Sequence, residues 1–290
     1  MVMLSYNGNL IHRDKFCLSA SNRAFRYGDG LFETIRVHDS VMLWAEHHYR
    51  RLTQGASVLQ MNPGTGWSVE LFKDQVNALY RENHKEGGAA RIRCTLFRDE
   101  GGYYTPYSNQ ASLLIESEAL ETGTFVLNNK GITLTLYDEI RKHQNKLSQT
   151  KSINAQLYVL ASLYKRNLGF GDALLLNQEG MIAEATASNV FIFQNGVFRT
   201  PSLNQGCVEG IMRAVIIEIM HENGMDIIED RISPADLEKA EEVFLSNAVQ
   251  GIRWVKEFNN RKYNNKMASV LLSLLSRKAA DYVSKYVKNQ

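Results

Sequence analysis

Residues 149–167, QTKSINAQLYVLASLYKRN, constrain the fold more than any other stretch. The stretch opens as a polar run and turns into a helix. Leu157, Leu160, Ala161 and Tyr164 recur at helical spacing and form one apolar stripe. Strand-like runs stand on both sides, Ile132 to Tyr137 before it and Ala173 to Leu176 after it. Lys151 falls just before or inside the first turn. The N-terminal end of a helix carries partial positive charge, so an ammonium ion there is disfavoured and the neutral amine favoured. Partial burial acts in the same direction. A neutral lysine can form a Schiff base with a carbonyl or act as a general base. Most lysines, however, are solvated surface residues, so Lys151 acquires a role only from what the rest of the chain places around it.

Read in order, the chain begins as a hairpin, Met3 to Tyr6 and Asn9 to Ile11 around an Asn7-Gly8 turn. Leu31 to Val37 reads as a strand, His38-Asp39-Ser40 as a turn, Val41 to Trp44 as the returning strand, and a helix starts near Ala45. Gly28 and Gly30 flank Asp29, which suits a tight turn; GDG is only a weak phosphate-loop signal, since no longer glycine motif accompanies it. A helix is expected from Ser68 to His84. In RIRCTLFRD, Ile92, Cys94 and Leu96 alternate with Arg91, Arg93 and Thr95, the mark of a half-buried strand with one polar face. Ala111 to Ile115 is another strand. The acidic stretch Glu116 to Gly123 is the candidate boundary, giving an N-terminal domain over 1–119 and a C-terminal domain over 120–290 that carries Lys151. Further strands are expected at Phe125 to Leu127, Met181 to Ala183, Asn189 to Phe193, Val197 to Arg199, Ile227 to Glu229, Val243 to Leu245 and Ile252 to Val255. Helices are expected from Gly210, Ser233 and Lys266. The sum is an α+β chain of two domains.

Composition narrows the partners. A net charge of +2 and the lack of a basic block argue against nucleic acid. The apolar runs are far short of a membrane span, and MVMLSYNGNLIHRDK lacks the basic start and apolar core of a signal peptide. Three scattered cysteines, Cys17, Cys94 and Cys207, form neither a disulfide framework nor a zinc pattern. No metal site is expected, and the cytoplasm is the default location.

Two further segments carry candidate chemistry. MIAEATASNVF sets Glu184 between two short strands, either as a turn glutamate or as a carboxylate facing a cationic ligand. CVEGIMRA sets Gly210, Ile211 and Met212 at a helix start, an ordinary cap or a set of backbone amides for a phosphate. Taken with Lys151, the order lysine–helix, E-x-x-x-x-N-V-F, TP-loop and GIMR resembles the class IV aminotransferases, the fold-type IV pyridoxal-phosphate enzymes. The resemblance runs from YNGNLI to SNAVQGIRWV. It implies two α+β domains with pyridoxal 5′-phosphate at their interface, usually in a homodimer, acting on an amino acid and a 2-keto acid.

The resemblance also implies roles. Lys151 matches the lysine that carries the cofactor as a Schiff base and moves the proton at the substrate Cα. Glu184 matches the carboxylate on the pyridine nitrogen. Arg51, in HYRRL, matches the arginine on the cofactor phosphate, with Arg50 as the alternative register. Gly210, Ile211 and Met212 match the backbone phosphate cup, where Met212 replaces the usual threonine. Asn247 and Ala248 stand where a second phosphate hydroxyl is expected, and Gln156 where branched-chain enzymes place a tyrosine on the phenolic oxygen. Arg93 matches a cation that holds a substrate carboxylate, and Thr34 a threonine of the lyases. Glu33 in FETIR is similar to the F-E-G-I-R of branched-chain enzymes, while the R-x-H pair of D-amino-acid enzymes is replaced by Tyr103-Tyr104-Thr105. The expectation is a branched-chain-like amino-acid aminotransferase. An aminodeoxychorismate lyase is the alternative, and a non-catalytic member that kept the fold is the third reading.

Overall fold

The computed structural model describes residues 2–287. The chain divides into two compact units: residues up to Gly123 with Thr150–Asn154 and the chain end from Asp281, and a second unit of Thr124–Gln149 with Ala155–Ala280.

The first unit contains β1 (Met3–Tyr6), β2 (Asn9–His12), α1 (Arg23–Tyr27), β3 (Gly30–His38), β4 (Val41–Met42), α2 (Ala45–Val58), α3 (Val69–Asn83), β5 (Ala89–Arg98) and β6 (Ala111–Leu120). Its strands form one antiparallel sheet in the order β2-β1-β6-β5-β3-β4. The first hairpin closes through Asn7 and Gly8, both at positive φ, 50° and 83°. That is the backbone a type I′ turn needs and the reason for an Asn-Gly pair there. Along β5, Ile92, Cys94 and Leu96 are buried while Arg91, Arg93 and Thr95 are half-exposed, so the alternation in the sequence is the alternation of the two sheet faces. The inward face meets Leu52 and Ala56 of α2 and Phe72, Val76 and Leu79 of α3 in one core. Ser68 caps α3 by accepting from the Leu71 N–H at 3.1 Å.

The second unit contains β7 (Ile132–Lys142), α4 (Gln156–Asn167), β8 (Asp172–Asn177), β9 (Ile182–Ala185), β10 (Asn189–Gln194), β11 (Val197–Pro201), α5 (Ile211–Glu222), β12 (Ile227–Asp230), α6 (Pro234–Lys239), β13 (Glu242–Asn247), β14 (Gly251–Phe258), β15 (Arg261–Lys262) and α7 (Lys266–Val287), whose last turns belong to the first unit. Its sheet runs β12-β11-β10-β13-β14-β7-β8-β9, with β15 on β14. The β7–β8 pair is parallel, and α4 lies in the connection between the two strands, as a parallel pair requires. Glu242 receives the Met267 and Ala268 N–H groups at 2.9 and 3.1 Å and so caps the start of α7. Among the described residues no helix is long and apolar enough to cross a membrane, and no cluster of potential metal ligands occurs.

The structure corrects several expectations. The Lys151 segment does not belong with the second unit. The Phe32 N–H donates to the Lys151 carbonyl at 2.9 Å, the Ile153 N–H to the Gly30 carbonyl at 3.0 Å, and Leu31 bridges Ser152, so Thr150–Asn154 is tied to β3. The helix starts at Gln156 after Ala155, leaving Lys151 on irregular chain outside the first turn, where the helix-end field is weak. Val41 to Trp44 is a strand only to Met42, because Trp44 takes a left-handed φ of 53° and begins α2. Phe125 to Leu127 pairs with no strand, although Phe125 is buried. Glu184 lies within β9, opposite Leu175 of β8, rather than between two strands.

Candidate functional site

Each unit presents its own group of candidate residues. In the first unit the polar face of β3 and β5 gathers Lys151, Phe32, Thr34 and Arg93. The Lys151 Nζ lies 4.2 Å from the centre of the Phe32 ring, and the Arg93 guanidinium carbon lies 4.1 Å from the same centre. Thr34 is the cross-strand partner of Arg93. Burial pulls the Arg93 guanidinium below its usual range, with the Glu116 carboxylate acting in the opposite sense. Among the described residues Arg93 forms no hydrogen bond; it lies on the Phe32 ring, and Glu116 is its cross-strand neighbour on β6 and acts on it at longer range. A half-buried guanidinium with donors in a planar fork and no hydrogen-bonded carboxylate is suited to a planar anion.

The opposite face of β3 carries Glu33, and there Arg51 has a protein partner. Its Nε donates to Glu33 Oε1 at 2.7 Å and its Nη2 to Oε2 at 2.5 Å. His48 Nδ1 is 2.7 Å from Glu33 Oε2, and His48 and Glu33 are almost wholly buried. Burial alone would raise the Glu33 pKa. The Arg51 charge and the hydrogen bonds from His48 and Arg51 more than offset it, and the carboxyl is held at about 2. Burial lowers the His48 pKa against the pull of Glu33, so the ring is a neutral donor to the carboxylate. Arg51 is buried and Arg50 exposed, which distinguishes the two registers of HYRRL. Near the start of β3, Asp29 Oδ2 accepts from Arg23 Nε and Arg98 Nε, each at 2.9 Å. GDG is therefore an anchor for two arginines in this fold.

In the second unit Glu184 is held by three donors. Its Oε1 accepts from the Tyr158 hydroxyl at 2.6 Å and from the Lys142 ammonium, and its Oε2 accepts from the Val208 N–H at 2.9 Å. Lys142 and Glu184 are buried. Burial, and then the Glu184 charge, raises the Tyr158 pKa far above its usual value, so the phenol stays protonated and donates. Burial and the same charge push the Cys207 thiol up to about 12, which leaves it un-ionised and inert. Lys142 and Tyr158 carry no local signal in the sequence. They stand 42 and 26 residues from Glu184, and only the folded sheet brings them to it. Gln156, at the expected position of the phenolic-oxygen tyrosine, is exposed at the start of α4.

The same unit holds the start of α5. Gly210 caps it with no side-chain hydrogen bond, and among the described residues no side chain is hydrogen-bonded to the first-turn amides of Ile211 and Met212. A Cβ on Gly210 would stand 1.8 Å from Asn189 Oδ1, so any other residue there forces the Asn189 side chain to move. Asn189 Nδ2 in turn holds the Val208 carbonyl at 3.0 Å. Asn247 is engaged in its own turn: Oδ1 accepts from the Val249 and Gln250 N–H groups at 3.1 and 2.8 Å, and Nδ2 donates to Ser188 Oγ at 3.1 Å. Ala248 offers only backbone.

The chain is similar to several known proteins. A Methanocaldococcus jannaschii protein described as a putative branched-chain-amino-acid aminotransferase is 28% identical over 283 residues, 97% of this chain and 96% of its own. The aminodeoxychorismate lyase of Bacillus subtilis is 24% identical over 283 residues, 95% of this chain and 94% of its own. The crystal structure of the Thermoproteus uzoniensis branched-chain aminotransferase with norvaline superposes with a TM-score of 0.87 at 22% identity, covering 99% of this chain and 97% of that one. The model of the amino-transferase class IV family matches residues 30–258, most of the length, and the chain belongs to that family of enzymes.

Proposed function

We propose that this class IV enzyme transfers an amino group between a branched-chain-type amino acid and a 2-keto acid, with Lys151 as the catalytic residue. The family works with pyridoxal 5′-phosphate, and the residues present suit that group. A helix start capped by glycine, close against Asn189, suits a phosphate, and a buried carboxylate in a fixed hydrogen-bond frame suits a protonated ring nitrogen. When bound, pyridoxal phosphate supplies an aldehyde for the amino group and a ring that accepts the electrons left at Cα.

The protein residues act around that chemistry. Lys151 holds the cofactor through its amine and moves the proton at the substrate Cα. Glu184 keeps the ring nitrogen protonated. The amides of Ile211 and Met212, at the helix start set by Gly210, bind the phosphate together with Arg51. Arg93 binds the substrate carboxylate. The observation that carries this proposal is the half-buried Arg93 guanidinium, to which no carboxylate is hydrogen-bonded among the described residues, on the same ring as Lys151. Glu33, Lys142 and Tyr158 orient these groups. Asn247 and Ala248 contribute through their turn, with the Ala248 N–H as the group offered to a phosphate. The proposed assembly is a homodimer, read out by sedimentation equilibrium.

A lyase is the second reading, favoured by one observation: the Thr34 side chain stands across the strand from Arg93, where a hydroxyl can hold a water near the substrate. A half-reaction screen separates the two. Branched-chain L-amino acids, D-amino acids and aminodeoxychorismate are added separately to the loaded enzyme. We expect the L-amino acids to convert the cofactor to its pyridoxamine form. Rapid pyruvate release from aminodeoxychorismate, with no conversion by any amino acid, would overturn the aminotransferase proposal in favour of the lyase.

A further inference from the structure

Lys142 is a second lysine in the candidate chemistry, and unlike Lys151 it is buried. It ends β7, and its ammonium is bonded to Glu184 Oε1 with the Tyr158 ring 5.4 Å away. Tyr158 shares the same oxygen at 2.6 Å. Oε1 thus accepts two donors and Oε2 accepts only the Val208 N–H. An ionised carboxylate offers about four lone-pair positions, so the remaining one is on Oε2. The Lys142 ammonium beside the carboxylate repels a second positive charge brought to the same group.

We propose that Lys142 is a positioning residue acting through Glu184: it saturates Oε1, leaves Oε2 for the cofactor ring nitrogen, and weakens the hold of the carboxylate on a proton there. The inference rests on the reading that Glu184 faces that nitrogen. A neutral donor such as Tyr158 can orient a carboxylate without opposing a pyridinium; an ammonium does both. Glu184 therefore acts with part of its charge already balanced, and the ring of this enzyme is a milder electron sink than one facing a lone carboxylate.

The test compares binding of pyridoxal phosphate with binding of its 1-deaza analogue, which has carbon in place of the ring nitrogen. Affinities are measured for the wild type, Lys142→Met and Glu184→Gln. Lys142→Met is expected to raise the preference for pyridoxal phosphate over the analogue about tenfold, equivalent to one pKa unit at the nitrogen. Lys142→Arg is expected to restore the wild-type ratio. Glu184→Gln is expected to lower the preference. An unchanged or reduced ratio in Lys142→Met, with Glu184→Gln still lowering it, overturns the role of Lys142 alone. A ratio unaffected by Glu184→Gln overturns the placement of Glu184 at the nitrogen, and the inference with it. Thermal melts of the cofactor-free proteins supply a second readout should Lys142→Met fold poorly. Glu184→Gln should lower Tm by leaving Lys142 buried without its anion, and Glu184→Gln combined with Lys142→Met should recover part of the loss. No loss in Glu184→Gln refutes the pair.

Discussion

Arg51→Ala probes the most deeply buried carboxylate of the first unit, Glu33. Arg51 supplies two hydrogen bonds and the counter-charge to Glu33, a carboxylate only 1% exposed. Removing one partner of a buried pair costs about 3–5 kcal/mol because the other charge is stranded. The Glu33 pKa gives an independent figure. A fall from 4.5 to about 2 is worth roughly 3 kcal/mol at 1.36 kcal/mol per unit. The folded pKa lies below the unfolded one, so this stabilisation is complete above about pH 4.5 and is lost as the pH falls to about 2. In Arg51→Ala burial raises the Glu33 pKa instead. The stability difference from wild type should be largest at neutral pH and should narrow below about pH 4. A drop in Tm of roughly 10 °C is expected at pH 7, against little change in Arg50→Ala, whose side chain is exposed. Urea or thermal melts of the cofactor-free proteins at several pH values measure this. Equal stabilities for Arg51→Ala and Arg50→Ala at pH 7, or a difference that does not narrow in acid, would refute the reasoning. Cofactor affinity should also fall about ten- to a hundredfold in Arg51→Ala, the value of a charge-assisted phosphate contact.

Other variants read individual groups. Gly210→Ala sets a methyl against Asn189 Oδ1, within 1.8 Å; cofactor affinity should fall at least about tenfold with the circular dichroism spectrum preserved. Glu184→Gln should retain the cofactor yet slow loss of the Cα proton in single-turnover measurements, since an amide does not keep the ring nitrogen protonated. Arg93→Ala should raise KM for the 2-keto acid by about a hundredfold, with Arg93→Lys intermediate. Thr34→Ala should leave transamination nearly unchanged; a large loss of pyruvate release from aminodeoxychorismate in that variant would instead support the lyase.

Legibility in the sequence followed the range of the interactions. The Asn7-Gly8 hairpin, the Ser68 cap and the β5 alternation depend on neighbours within a few residues, and those neighbours are written next to them. The end of the strand before Trp44 was not legible. Trp44 packs on Tyr282, 6.3 Å between ring centres, from the far end of the chain. The start of α4 was misplaced for another reason: Ala155 makes no side-chain cap, so nothing in the polar run marks where the helix begins. The polar run therefore sets Lys151 just before or inside the first turn; it precedes the helix, and its backbone is bonded to β3. The candidate site divides in the same way. Lys151, Glu184, Arg51 and Gly210 are candidates because their order along the chain resembles a known family. The Lys142 and Tyr158 partners of Glu184 and the Phe32 ring beneath Lys151 and Arg93 arise from folding alone.

The most direct test of the central claim is chemical. The cofactor-loaded protein is reduced with borohydride, digested, and mapped by mass spectrometry. Lys151, with its Nζ 4.2 Å from the Phe32 ring centre, is expected to carry the pyridoxyl group, and buried Lys142 is expected to be unmodified. A pyridoxyl group on Lys142 or any other lysine, or no adduct at all, would contradict the assignment of Lys151 as the catalytic residue.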